Sequence, residues 1–159
     1  MCIRDRAVAV SFHEISHLVT ASHLGPTEPW LTEGLAEYFE SMEVSGQRGT
    51  IRPNAAHLRR LRNSRLPTLA RFLAQDSNQW NGDQRDLNYA LAWSLVHFLM
   101  RDGSGLDAIK AVIEQAHANF CRPFSASQAL SDAYPGGLRR LAQDWLDWLS
   151  GDQHGIHRI

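Results

Sequence analysis

Residues 7–22 place Val8, Val10, Phe12, Ile15, Leu18 and Val19 around most of a helix, the pattern of a helix buried on several sides. Gly25, Pro26 and Pro29 interrupt it, and Trp30, Leu31, Leu35, Tyr38, Phe39 and Met42 then predict a second amphipathic helix over residues 30–43. So short a connection should make the two helices pack together. The polar face of the first carries His13, Glu14 and His17, and the second carries Glu33 and Glu37.

The remainder continues in the same style. A polar turn at 45–53, with Gly46 and Gly49, precedes helical patterns over 54–63 and 66–75 and a loop over 76–86. Further helices follow over 87–101, 105–118, 125–133 and 137–149. Continuous strand candidates are scarce, and no repeat with a period of about 20–50 residues is present. The fold class is therefore mainly α, with a single domain over residues 7–150. Residues 151–159 are expected to fray. The opening hexapeptide MCIRDR reads as an adaptor-derived, non-native start, so sequence native to the protein is expected upstream of it. The chain shows no signal peptide, and localisation stays unassigned.

Composition excludes several classes. At 43% hydrophobic and 21% charged over 159 residues, the chain has the make-up of one globular domain and not of a disordered tract. A formal net charge of −1 provides no whole-chain field to attract nucleic acid or an anionic membrane. The apolar stretch 89–100 is interrupted by Ser94 and His97 and falls short of the ~18–20 residues a membrane span requires. Cys2 and Cys121 make neither a disulfide framework nor a paired-thiolate zinc pattern. No nucleic-acid partner and no membrane segment is expected, and oligomeric state is not legible.

The chemistry lies in His13-Glu14-Ile15-Ser16-His17, an HExxH sequence on a helix. Spacing of i,i+4 puts the two imidazoles about 40° apart on one face, where two nitrogens reach one ion. With 8 His and 7 Glu in the chain, chance supplies only roughly 0.02 such sequences. Zn2+ favours neutral imidazole, and a catalytic site adds a third protein ligand and an activated water. Glu14 stands beside the ligands, placed to take the proton from that water and return it to the leaving group. Glu33, sixteen positions after His17 on the packed second helix, is the expected third ligand. Glu37, one turn further on, is expected to accept the free N–H of a ligand histidine. An alternative exchanges Glu33 and Glu37; the bland reading leaves both as solvated charges beside Glu40 and Glu43.

HEISH followed by PWLTEGLAEYFE resembles the gluzincin metallopeptidases, the HExxH…E branch of the MA clan that includes thermolysin and related aminopeptidases. In that branch the Glu before Gly is the third ligand, the place Glu33 fits. The shorter spacing to Glu33 and the later YALAWSLVHFL are more similar to bacterial peptidase-MA-like proteins of unknown substrate, as is a closing helix rich in Trp and Leu over 138–149. The resemblance implies a helical zincin-like catalytic domain whose β-sheet would lie upstream of residue 1. The aminopeptidases' motif for gripping a substrate amino terminus is absent.

Hydrolysis of a peptide also calls for a donor to the developing oxyanion, and Tyr89, His97 and His57 are the candidates. Tyr89 is chosen, although an aromatic at helical spacing with Ala92, Trp93 and Val96 is more often core. His97, between Val96 and Phe98, reads as a core histidine. The Arg52, Arg59, Arg60, Arg62 and Arg65 cluster reads as a solvated helix face, and Trp145 and Trp148 as core. The sequence thus predicts a zinc metallopeptidase acting on a peptide or protein substrate, with His13, His17 and Glu33 on zinc and Glu14 as base. Its rivals are a zinc hydrolase of a nonpeptide amide or ester and a non-catalytic zinc-binding interaction module.

Overall fold

The computed structural model describes residues 3–101, 103–151 and 154–159, with side chains from residue 12 onward. Met1 and Cys2 of the opening hexapeptide lie outside the described residues, and residues 3–6 are helical. The first helix, α1 (Ile3–Leu24), packs beside α2 (Pro29–Glu40), as the short connection requires. Pro29 sits in the first turn of α2, where its missing N–H costs nothing.

The second helix ends three residues earlier than its apolar pattern suggests. Met42 and Glu43 belong instead to β1 (Met42–Ser45), which pairs antiparallel with β2 (Arg48–Ile51), Met42 opposite Ile51 and Ser45 opposite Arg48. The reversal is a two-residue turn, and Gly46 at φ +63° occupies its first central position, where a side chain would be strained. Strands this short and polar leave little period-two signal.

Within the tail expected to fray, the last residues are paired. β3 (His157–Arg158) joins the other edge of β2, with Ile51 opposite His157 and Thr50 opposite Arg158. Gly49 and Ile159 exchange backbone hydrogen bonds of 2.7 and 3.0 Å. The His157 ring stacks on His97 at 4.2 Å and hydrogen-bonds the Tyr38 hydroxyl at 2.8 Å. Backbone pairing and two aromatic contacts offset the entropy of ordering the segment.

Between the sheet and the tail come α3 (Ala55–Arg62), α4 (Leu69–Leu73), α5 (Ser77–Trp80), α6 (Arg85–Leu99), α7 (Gly103–Ala118), α8 (Ala126–Ala133) and α9 (Gly137–Ser150). The fold is mainly helical. The turn α5 falls inside the expected 76–86 loop, where Asp76 and Gln79 form a reciprocal capping box. Central α6 is buried continuously from Ala90 to Leu99, and α2 lies along it. A Cβ on Gly34 would stand 2.6 Å from Val96 Cγ2 and 2.9 Å from the Ala92 carbonyl oxygen, so only glycine permits this approach. Trp145 and Trp148 are buried against the same core.

Glu28 closes the far side. Its carboxylate accepts hydrogen bonds from Ser125 Oγ at 2.8 Å, Ala126 N at 2.9 Å and Ser127 N at 3.3 Å, placing a negative charge on the N-terminus of α8. The α1 pattern differs from expectation on one side: Ile15, Leu18 and Val19 are exposed. At 100° per residue they face away from His13 and His17, and the buried Ser16, Thr20 and Leu24 face the rest of the fold instead. Among the described residues no helix is long and apolar enough to cross a membrane.

Candidate metal centre

One turn of α1 separates His13 and His17, and their Nε2 atoms converge to 3.1 Å with the rings edge to face. From α2, Glu33 Oε2 stands 3.4 Å from His17 Nε2 and 3.9 Å from His13 Nε2. Three ligands around a tetrahedral zinc at ~2.0–2.1 Å are separated by roughly 3.3 Å. The observed triangle has that size. Glu33 Oε2 is buried and without a hydrogen-bond partner, a costly state for a carboxylate oxygen and one that a cation at this point relieves.

The other nitrogen of His13 faces a second pair of carboxylates. His13 Nδ1 lies 3.4 Å from Glu40 Oε2 and 3.7 Å from Glu37 Oε1. Glu37 and Glu40 are one turn apart on α2, and Glu37 is buried. Its Oε2 accepts a 2.7 Å hydrogen bond from His57 Nε2, so this oxygen is already engaged. Burial, and then the charge of Glu37, raises the Glu40 carboxyl above its ordinary value, with His13 pulling the other way.

His13, Glu37 and Glu40 also lie close enough together to hold an ion. A metal there would take Nδ1, leave Glu33 Oε2 orphaned and compete with the His57 hydrogen bond. Zinc's preference for imidazole favours the set with two histidines. The donors fit a zinc ion held by His13, His17 and Glu33, with Glu37 and Glu40 oriented to accept from the remaining His13 N–H.

Glu14 is exposed at its place next to His13. Tyr89, on α6, is half-buried, its ring edge-on to Trp80 at 5.7 Å, and it lines a recess that also includes Glu37 and His57. The structure therefore puts Tyr89 beside the histidine–glutamate cluster without bringing it into contact with His13, His17 or Glu33. His97 is fully buried, with Nε2 at 3.2 Å from the Gly155 carbonyl, and belongs to the core.

His57 is the residue whose place sequence reasoning did not find. It follows the hairpin and sits in the first turn of α3, capped by Asn54, which accepts from the Ala56 and His57 amides. Its ring lies 5.5 Å from that of Trp93 on α6. Glu40, which enters the sequence reading only in the bland alternative, shares a face with Glu37 through its i,i+3 spacing. In the basic cluster, Arg52 pairs with Glu43 and Arg60 with Asp86, each at 3.2 Å.

The DUF1570 family, described as a protein of unknown function, matches residues 8–119. The chain belongs to this family. The DUF1570 match runs from α1 to just beyond α7, so it contains His13, Glu14, His17, Glu33, Glu37, His57 and Tyr89 and leaves α8, α9 and the tail strand outside. Neither the curated proteins nor the solved structures contain a match to the chain.

Proposed function

We propose that the chain is a zinc-dependent hydrolase of peptide bonds. The observation that carries the reading is the triangle of His13 Nε2, His17 Nε2 and the orphaned, buried Glu33 Oε2, built beside an exposed Glu14. The gluzincin resemblance of HEISH and PWLTEGLAEYFE, carried by the same residues, agrees with it. Bound by these three residues, zinc supplies a Lewis acid that polarises a carbonyl and lowers the pKa of water.

The protein side chains do the rest. Glu14 takes a proton on its carboxylate from the attacking water and hands it to the leaving nitrogen. A purely structural zinc site has no use for such a base, which favours the enzyme over the interaction module. Glu40 at 3.4 Å and Glu37 at 3.7 Å face His13 Nδ1, and Glu37 is itself held by His57. Tyr89, on the recess wall, is the hydroxyl proposed to meet the oxyanion, and substrate closure would have to bring it within reach.

Zinc per chain by elemental analysis and hydrolysis of a mixed peptide library by wild type and Glu14→Gln test the reading together. The expected result is near-stoichiometric zinc in both proteins and cleavage only in wild type. Absence of zinc sinks the proposal. Zinc with cleavage of esters or nonpeptide amides alone would transfer the site to that substrate class.

A further inference from the structure

Next to the histidine–glutamate cluster, α3 and the start of α6 enclose a recess of about 410 Å³ whose walls include Glu37, His57, Arg60, Arg85, Asp86 and Tyr89. Its charges are unevenly satisfied. Glu37 is bonded to His57 at 2.7 Å, and Arg60 to Asp86 at 3.2 Å. Arg85 has no carboxylate within 4.0 Å among the described residues; its guanidinium instead lies over the Tyr89 ring, 5.5 Å from the centroid. Arginine is a permanent cation, and a hydrogen bond with Tyr89 first, then the Asp86 and Glu33 carboxylates, raise Arg85 further above its usual value.

We infer that this recess is a substrate subsite for a carboxylate, with Arg85 as the residue that selects it. Glu37 is both a wall of the recess and a partner of His13, so a group seated there belongs to a residue close to the scissile bond. The Arg85 fork matches a planar carboxylate in a bidentate pair, and the Tyr89 ring lies against the guanidinium. With Arg60 paired to Asp86 and Glu37 hydrogen-bonded to His57, Arg85 is the recess cation that no carboxylate reaches within 4.0 Å among the described residues. The carboxylate comes from an acidic side chain or from the peptide's own C-terminus. The inference rests on the hydrolase reading for the substrate being a peptide, but not for the recess being anion-selective.

Zinc-loaded Glu14→Gln protein, which holds peptide without cleaving it, provides the test. The probes are N-terminally labelled, alanine-rich octapeptides with a single Asp moved through the sequence, each made as free acid and as amide, with binding read by fluorescence anisotropy. Tightening of about fivefold or more is expected from Asp at one position or from the free acid, relative to the Asn-containing amide. Arg85→Gln, added to the same protein, should erase that increment, and Arg85→Lys should restore part of it. Equal binding of charged and neutral peptides, a preference that survives Arg85→Gln, or no binding of any peptide would each overturn the subsite. Asp dependence assigns the side chain as the anion, and dependence on the free acid assigns the terminus. Wild-type protein that binds zinc and cleaves without charge preference loses only the subsite. Protein that takes up no zinc yet binds acidic peptides through Arg85 loses only the hydrolase reading.

Discussion

The Glu37 carboxylate joins two histidines from different helices: one oxygen accepts from His57 Nε2 at 2.7 Å, and the other stands 3.7 Å from His13 Nδ1. Because Glu37 is buried, the bond to His57 fixes where its second oxygen points. A residue of α3, outside the HExxH sequence, thus holds a carboxylate that faces His13 on α1.

This relationship predicts a graded loss of metal affinity. Glu37→Gln should weaken zinc binding by roughly 10–100-fold, since partners of a ligand histidine hold its tautomer and direction. His57→Gln should have a smaller effect in the same direction. Competition against a chromophoric chelator measures both, and unchanged affinity in Glu37→Gln would show that His13 is positioned by Glu40 alone.

How much of this was legible in sequence depends on the range of the interaction. The pairing of α1 with α2, and with it the meeting of His13, His17 and Glu33, follows from helical periodicity and a short break, both local signals. His57 reaches Glu37 across the hairpin and a turn, and no periodicity encodes that distance. The hairpin escaped because its strands are four residues each and mostly polar. The third strand escaped because its two residues are ordered by Thr50, Ile51 and His97, partners more than fifty positions away.

Gly34 is where packing and the site are most directly coupled. It follows Glu33 and holds α2 against α6, with an added Cβ falling 2.6 Å from Val96 Cγ2 and 2.9 Å from a backbone oxygen. Backbone cannot yield as a flexible side chain does, so Gly34→Ala should cost about 1–3 kcal/mol despite alanine's better helix propensity. Urea unfolding gives the cost. The displaced α2 should also carry Glu33 away from His17, so zinc affinity is expected to fall in the folded variant.

Glu28 predicts a stability effect far from the cluster. Its three hydrogen bonds tie the residue before α2 to the first turn of α8. Glu28→Ala leaves the Ala126 and Ser127 amides without their acceptor and removes a charge from the helix N-terminus, a loss of about 1–2 kcal/mol. Glu28→Gln should lose less, as it keeps one acceptor oxygen. Equal stability of Glu28→Ala and wild type in thermal unfolding would show that water replaces the carboxylate at no cost.

His97 predicts the direction of the acid response. Burial, and then the neighbouring His157, lower its pKa from 6.5 to about 3. The folded protein therefore keeps the ring neutral across a window in which the unfolded chain protonates it. Between about pH 6.5 and about pH 3 the unfolded state binds the extra proton, so stability falls as pH falls, by at most about 1.4 kcal/mol per pH unit from this group. Above pH 6.5 neither state is protonated there and the contribution is flat. Since His97 stacks on His157 and bonds the Gly155 carbonyl, the same proton should loosen the tail strand before the helical core. Urea unfolding at pH 7 and pH 5 for wild type and His97→Gln measures the slope. The variant should show a shallower acid loss even if it starts less stable, and identical slopes would place the acid sensitivity in other histidines.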